Sequence, residues 1–199
     1  MGFFDSLLGR TKPVEANLEA LFGLPGAIIT LQASQDLEPT NVAGVCYKPM
    51  AGQRFARTSE EMSELLGLAG SGDDAPGGFV RQEEDKYGYH WVVVGSGDFQ
   101  TLVNQIHVVN TTLEEDGYGP QLLCSVFGFR PSGTAPGGEA TVYLVYLYKR
   151  GTFYPFMPLG PGERRDVETE LVLQVVLKDD LRIEPEKERW MPLWGLPVH

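Results

Sequence analysis

Cysteine and histidine, which metal sites and nucleophilic catalysis use most, are scarce in this sequence. Its 199 residues include two cysteines and three histidines. They form no Cys-x-x-Cys pair and no Cys/His cluster, so a zinc site is not expected. Cys46 and Cys124 each stand among apolar residues, a setting typical of buried free thiols. We expect no metal ion and no cofactor.

Long apolar runs are also missing. No stretch reaches the roughly 18 consecutive apolar residues that a membrane-spanning helix needs. Residues 1–13 contain too short an apolar region for a signal peptide. The sequence therefore predicts a cytoplasmic protein.

Positive charge is the third deficit. The chain has 16 Lys and Arg against 27 Asp and Glu, and its formal net charge is -11. Nucleic-acid binding needs a basic surface, so we expect no nucleic-acid partner. The same charge opposes attraction of the whole surface to anionic lipid, but a local membrane contact stays open.

The sequence does supply a core. Hydrophobic residues make up 42% of the chain, which suits one globular domain without metal or disulfides. The strongest element is a strand over 141–148, because neither of its faces is polar. We therefore expect this strand in the interior of a sheet, followed by a turn at 149–151 and a second aromatic run.

Periodicity, caps and turn residues predict the other elements. The expected helices cover 14–22, 59–68, 98–116 and 163–179. The expected strands cover 27–33, 42–48, 79–84, 89–94 and 121–129, with a loop over 36–41. The run 171–177 is equally compatible with a strand, but its length favours a helix.

The strands come in neighbouring pairs with short links. This order predicts an α+β fold, a mostly antiparallel sheet with helices packed mainly on one face. We expect a single α+β domain over 13–199 that ends in an extended tail. Residues 1–12 form a separate amphipathic segment at the N-terminus.

This N-terminal segment carries Phe3, Phe4, Leu7 and Leu8 on one helical face. It is locally basic in an acidic chain, which favours docking on a membrane surface or on a partner helix. The alternative is that it frays as an ordinary terminus. If the segment docks on lipid, the protein is peripheral at the inner face of the cell membrane.

A second candidate surface surrounds the turn after the 141–148 strand. It combines cationic and aromatic side chains, as protein interfaces often do. Its members are Lys149, Arg150, Phe153, Tyr154, Phe156, Arg164 and Arg165. The alternative is that the aromatic residues are core and that the arginines pair locally with Glu163 and Asp166.

Features that suggest enzymes are weak. The segment 95–100 (GSGDFQ) lacks the third glycine of a dinucleotide loop and is better explained as a capped turn. Cys124 and His107 could form a nucleophile–base pair if the fold brought them together. We predict no catalytic residues and keep this pair as the enzymatic alternative.

Several segments together resemble a bacterial family, the PspA-associated protein B family. They are 1–10 (MGFFDSLLGR), 109–113 (VNTTL), 117–124 (GYGPQLLC), 147–156 (LYKRGTFYPF), 163–166 (ERRD) and the Trp-containing stretch 189–195. The resemblance covers nearly the whole chain. It implies a cytosolic accessory of phage-shock protein A, a membrane-stress protein of the ESCRT-III type, and it brings no catalytic residues. The order of elements is also similar to that of type III secretion chaperones and YbjN proteins.

We therefore expect a non-enzymatic adaptor of a PspA-type membrane-stress response that acts by protein–protein interaction. A PspA-like protein is the expected partner, and the sequence is compatible with homo-oligomers. The alternatives are a chaperone-like binding protein unrelated to PspA and an enzyme of unknown chemistry that uses Cys124 or His107.

Overall fold

The computed structural model describes residues 17–49, 59–66, 78–134, 141–160 and 162–199. Its α-helices are α1 (Leu24–Gln35), α2 (Ser59–Leu65), α3 (Phe99–Leu113) and α4 (Val167–Leu177). Its strands are β1 (Leu37–Tyr47), β2 (Phe79–Glu84), β3 (His90–Gly95), β4 (Leu122–Pro131), β5 (Val142–Leu147) and β6 (Thr152–Phe156). Shorter helical turns cover Leu18–Gly23, Glu114–Tyr118, Gly119–Gln121 and Lys187–Arg189.

The six strands form one sheet in the order β2-β3-β1-β4-β5-β6. Every neighbouring pair is antiparallel. The α+β class and the antiparallel sheet are confirmed. Strand β5 lies between β4 and β6, as expected from its lack of a polar face.

The two faces of the sheet bury different side chains, because successive residues of a strand point to opposite sides. On β3, Val92 and Val94 pack with α1, α3 and α4, whereas Trp91 and Val93 pack with the C-terminal residues. We call these the helix-covered face and the tail-covered face. The helices thus lie on one face, and the tail after α4 covers the other.

One predicted strand is wrong. Residues 27–33 belong to α1, not to a strand. Ile28 and Ile29 favoured the strand interpretation because β-branched residues are common in strands. Pro25 occupies the first turn of α1, where its missing N–H leaves no hydrogen bond unmade.

The predicted loop 36–41 is also wrong, since β1 begins at Leu37. Asp36 ends α1 in the left-handed conformation, with φ 52°, and the chain enters the strand directly. Asn41 is left-handed as well, with φ 59°. It lies where the register between β1 and β4 shifts, so the first half of β1 is a bulged strand. The sequence of such a segment resembles that of a loop.

Other elements follow the prediction more closely. The β2–β3 hairpin is confirmed. Asp98 caps α3 by accepting a hydrogen bond from the Thr101 backbone N–H at 2.9 Å. Asp166 caps α4 in the same way through the backbone N–H of Thr169, so this helix begins at 167 rather than 163.

Candidate functional site

The aromatic side chains expected at an exposed surface lie inside the fold. Phe153 is fully buried on the helix-covered face, and Tyr154 and Phe156 are buried on the tail-covered face. Tyr154 stacks on Trp190 and donates its hydroxyl hydrogen bond to the carbonyl of Met191 at 2.8 Å. These three side chains pack the core, and they do not form an exposed contact surface.

Arg150 is engaged by the chain's own carboxylates. Its Nε and Nη2 atoms donate to both carboxylate oxygens of Glu184, at 3.1 Å each, and Nη2 also donates to Glu186 at 2.9 Å. Glu184 is fully buried and accepts a further hydrogen bond from Thr152 Oγ1 at 2.7 Å. Arg150 thus fixes the start of the tail to the β5–β6 turn.

Arg165, which precedes α4, holds a later part of the tail in a similar way. Its Nε donates to both oxygens of Glu170 at 2.9 Å, and its Nη1 donates to the carbonyl of Trp190 at 2.7 Å. The guanidinium also lies over the ring of Phe156, 5.3 Å from the ring centroid. Arg165 therefore joins α4, β6 and the tail.

The two remaining cations of the predicted surface, Lys149 and Arg164, are exposed. Lys149 donates a hydrogen bond from Nζ to the carbonyl of Pro120 at 2.6 Å, and Arg164 projects from the turn before α4. A partner-binding role for these two residues stays a prediction. Phe3, Phe4, Leu7 and Leu8 lie outside the described residues.

The enzymatic alternative paired Cys124 with His107, and the fold separates them. Cys124 is on the tail-covered face. His107 belongs to α3 on the other side of the sheet, where its ring stacks on Phe22 at 5.2 Å. The two residues therefore form no nucleophile–base pair.

The outward side of α4 is apolar, and sequence analysis did not predict this surface. Val167, Leu171, Val172 and Val175 are 53%, 43%, 45% and 64% exposed. They lie on one side of the helix, together with the exposed Glu168 and opposite the buried Leu173 and Leu177. An exposed helix face normally carries polar residues, whereas α4 has aliphatic residues on its exposed side as well as on its buried side.

A further exposed aliphatic side chain lies on the neighbouring helix α1. This helix packs against α4 and contains no charged residue. Ile29, near its middle, is 70% exposed. We define the α1–α4 outer face as Ile29, Val167, Leu171, Val172 and Val175. Such apolar area on a net-negative chain is typical of a contact surface.

A signal for this face was present in the sequence. The run 171–177 contains six aliphatic residues and a single Gln. A helix with one buried side needs only about half of these positions to be apolar. The surplus therefore indicates either a fully buried element or an exposed apolar face, and the tertiary structure shows the second.

In residues 17–49, 59–66, 78–134, 141–160 and 162–199, no three His, Cys, Asp or Glu side chains are grouped so as to hold a metal ion. Within the same part of the chain, no helix has the length and apolarity needed to cross a membrane.

Comparison with known proteins gives one match. No curated protein and no solved structure matches the chain, so the similarity to type III secretion chaperones and YbjN proteins is not confirmed. The model of one family, described as PspA associated protein B, matches residues 1–198. The match covers almost the full sequence and so includes nearly all of the segments that carry the resemblance. The chain therefore belongs to the PspA-associated protein B family.

Proposed function

We propose that this protein is a non-enzymatic adaptor of a PspA-type membrane-stress response, and that it binds its partner through the α1–α4 outer face. The family supports the link to PspA. The exposure of five aliphatic side chains on two adjacent helices supports binding by protein contact. In this proposal the protein works in the cytoplasm.

The chemistry of the face favours a helical partner. An amphipathic helix presents an apolar stripe at a spacing of three and four residues, which matches the rows of side chains on α4. Fully burying an exposed Val or Leu contributes about 1.5–3 kcal/mol. The side chains of the outer face are about half exposed, so each would add roughly 1 kcal/mol on binding.

Negative charge placed on the outer face should weaken binding of the partner. We expect the double variant Val172→Asp/Val175→Asp to bind a purified PspA-like protein at least about tenfold more weakly, since two carboxylates would have to be desolvated in the interface. Both positions are substantially exposed, so the fold should persist. Titration by isothermal calorimetry gives the affinity, and circular dichroism checks the helix content.

A matched control adds the same charge elsewhere. Gln100 and Asn104 are exposed on α3, away from the outer face, and Gln100→Asp/Asn104→Asp should leave binding within about twofold. Equal weakening by both double variants would mean that net charge, not the outer face, controls binding. Full binding by a folded Val172→Asp/Val175→Asp protein would refute the proposed surface.

The N-terminal segment is the proposed second contact, as its Phe3, Phe4, Leu7 and Leu8 stripe suggests. Deletion of residues 1–12 should leave the melting temperature nearly unchanged and reduce recruitment to a PspA-like protein or to anionic vesicles. Co-sedimentation with phosphatidylglycerol vesicles separates the lipid contact from the protein contact. A large loss of stability with unchanged recruitment would instead assign the segment to core packing.

A further inference from the structure

The two cysteines lie opposite each other in the sheet. Cys46 on β1 and Cys124 on β4 are register partners, and both point to the tail-covered face. Directly opposed residues of antiparallel strands have Cα atoms about 4.5 or 5.5 Å apart. Disulfides usually span Cα distances of about 4.4–6.8 Å. The pairing therefore brings the two cysteines within the Cα distance that a disulfide needs.

Both cysteines are free and buried, and they lie beside a cavity of about 320 Å³. The cavity separates this part of the sheet from the tail, and Tyr154 and Trp194 also contribute to its wall. A water molecule occupies about 30 Å³ of liquid. A small oxidant such as hydrogen peroxide, close to water in size, fits this space, whereas a tripeptide disulfide such as oxidised glutathione is too large to enter freely.

A single buried thiol is usually inert. Here the hydrogen bond with Cys124, together with burial, raises the pKa of the Cys46 thiol well above its ordinary value. The Cys46 side chain is therefore held as the protonated thiol. What distinguishes the pair from two structural cysteines is the combination of thiol–thiol contact and a cavity lined by both residues.

We propose that Cys46 and Cys124 form a dithiol site that reacts with peroxide and closes to an intrachain disulfide. This site is separate from the α1–α4 outer face, because the sheet lies between them. It would give this member of the PspA-associated protein B family a covalent response to oxidant. That response would not depend on the partner contact.

The reaction has two steps. The sulfur of one cysteine, after losing its proton, attacks one peroxide oxygen, the O–O bond breaks, and the released hydroxide takes up the proton and leaves as water. The sulfenic acid so formed is then attacked by the second cysteine sulfur. The S–S bond forms, the S–O bond breaks, and a second water leaves with the remaining proton. Two thiols lose two electrons in total, and one hydrogen peroxide is reduced to two waters.

The test uses the full-length wild-type protein and hydrogen peroxide itself, with removal of the excess by catalase before analysis. We expect the intact mass to fall by two hydrogen atoms, both thiols to be lost together, and dithiothreitol to restore both. Peptide mapping without reduction should recover the Cys46–Cys124 link. The disulfide form should melt at a higher temperature, since the link constrains the unfolded chain.

The single variants Cys46→Ser and Cys124→Ser are the controls, because each retains a thiol without its resolving partner. They should give a dimedone-reactive sulfenic acid or gain oxygen atoms, and they should not lose hydrogen. Three results for the wild-type protein would overturn the proposal. They are a gain of oxygen like that of the single variants, the formation of disulfide-linked dimers, and retention of both thiols under conditions that oxidise an unfolded sample. Because the main measurement is made on the wild-type chain, poor folding of a variant does not prevent the test.

Discussion

Replacement of Arg165 by alanine is expected to destabilise the protein by about 3–5 kcal/mol, the cost typical of removing one partner of a buried ion pair. Glu170 is 1% exposed, and Arg165 supplies its hydrogen bonds at 2.9 Å. Without the guanidinium, a carboxylate would stay buried with only the backbone N–H of Met157 as donor. The carbonyl of Trp190 would lose its hydrogen bond as well. Thermal unfolding should show a midpoint lower by roughly 10 °C.

Arg164 is the matched control, since it is adjacent and exposed. We expect Arg164→Ala to change the free energy of unfolding by less than about 0.5 kcal/mol. The double variant Arg165→Met/Glu170→Gln should be less destabilised than the sum of its single variants, because no unpaired charge is left. A cost for Arg165→Ala as small as that for Arg164→Ala would contradict this account of the tail.

The contacts of Arg165 affect how a binding test by charge reversal would be interpreted. Reversing charge at Arg164 and Arg165 together would place a carboxylate beside the buried Glu170. Loss of binding in that variant would then report disruption of the tail. Arg164 and Lys149, which are exposed, can be altered singly to test a partner contact without this ambiguity.

Local patterns were sufficient for much of the sheet. The continuous apolarity of β5, the turn at 149–151 and the β2–β3 hairpin are properties of neighbouring residues, so a sequence carries them directly. Strand pairs with short links left the antiparallel arrangement as the simplest fold. This is why the fold class was predictable without any relative.

Elements stabilised by distant contacts were not predictable in this way. Helix α1 contains Pro25, Gly26 and adjacent isoleucines, and local propensity alone disfavours a helix there. Leu24, Ala27 and Leu31 are buried against the sheet, and this packing overrides the propensity. The bulged start of β1 depends in the same way on its pairing with β4.

In the candidate site, too, features that depend on distant contacts were not predictable from the sequence. The aromatic residues of β6 are neighbours in the sequence, but sequence could not tell that they are buried on opposite faces of the sheet. Arg150 lies 34 residues before its partner Glu184, so no local charge pattern links the two. The outer face of α4 required knowledge of which helix side meets the sheet.

Glu184 should control how the stability of this protein depends on pH. Burial raises the pKa of its carboxyl, but hydrogen bonds from Arg150, Thr152 and the backbone N–H of Glu186 outweigh burial and lower the pKa to about 2. A carboxyl with a folded-state pKa below its unfolded value stabilises the protein above the unfolded pKa, near 4.3 for Glu. That contribution is lost as the pH falls from about 4.5 to about 2.

We therefore expect Glu184→Gln to lower the free energy of unfolding by roughly 2 kcal/mol at pH 7. This value lies below the usual range for a fully buried pair, because the Arg150 side chain is 38% exposed and solvent screens the pair. Near pH 2 the variant and the wild type should approach equal stability, since the carboxyl is then about half protonated in the folded state and almost fully protonated in the unfolded state. Urea unfolding at pH 7, 4.5, 3 and 2, followed by tryptophan fluorescence, measures the difference.

The neighbouring Glu186 provides the control for this titration. It also pairs with Arg150, at 2.9 Å, but its side chain is 49% exposed. Glu186→Gln should therefore cost less than about 1 kcal/mol at pH 7 and should leave the acid dependence of the wild type almost unchanged. If Glu184→Gln retains the full wild-type loss of stability between pH 4.5 and 2, other carboxylates govern acid unfolding. The Arg150–Glu184 pair would then hold the tail in place without setting the pH dependence.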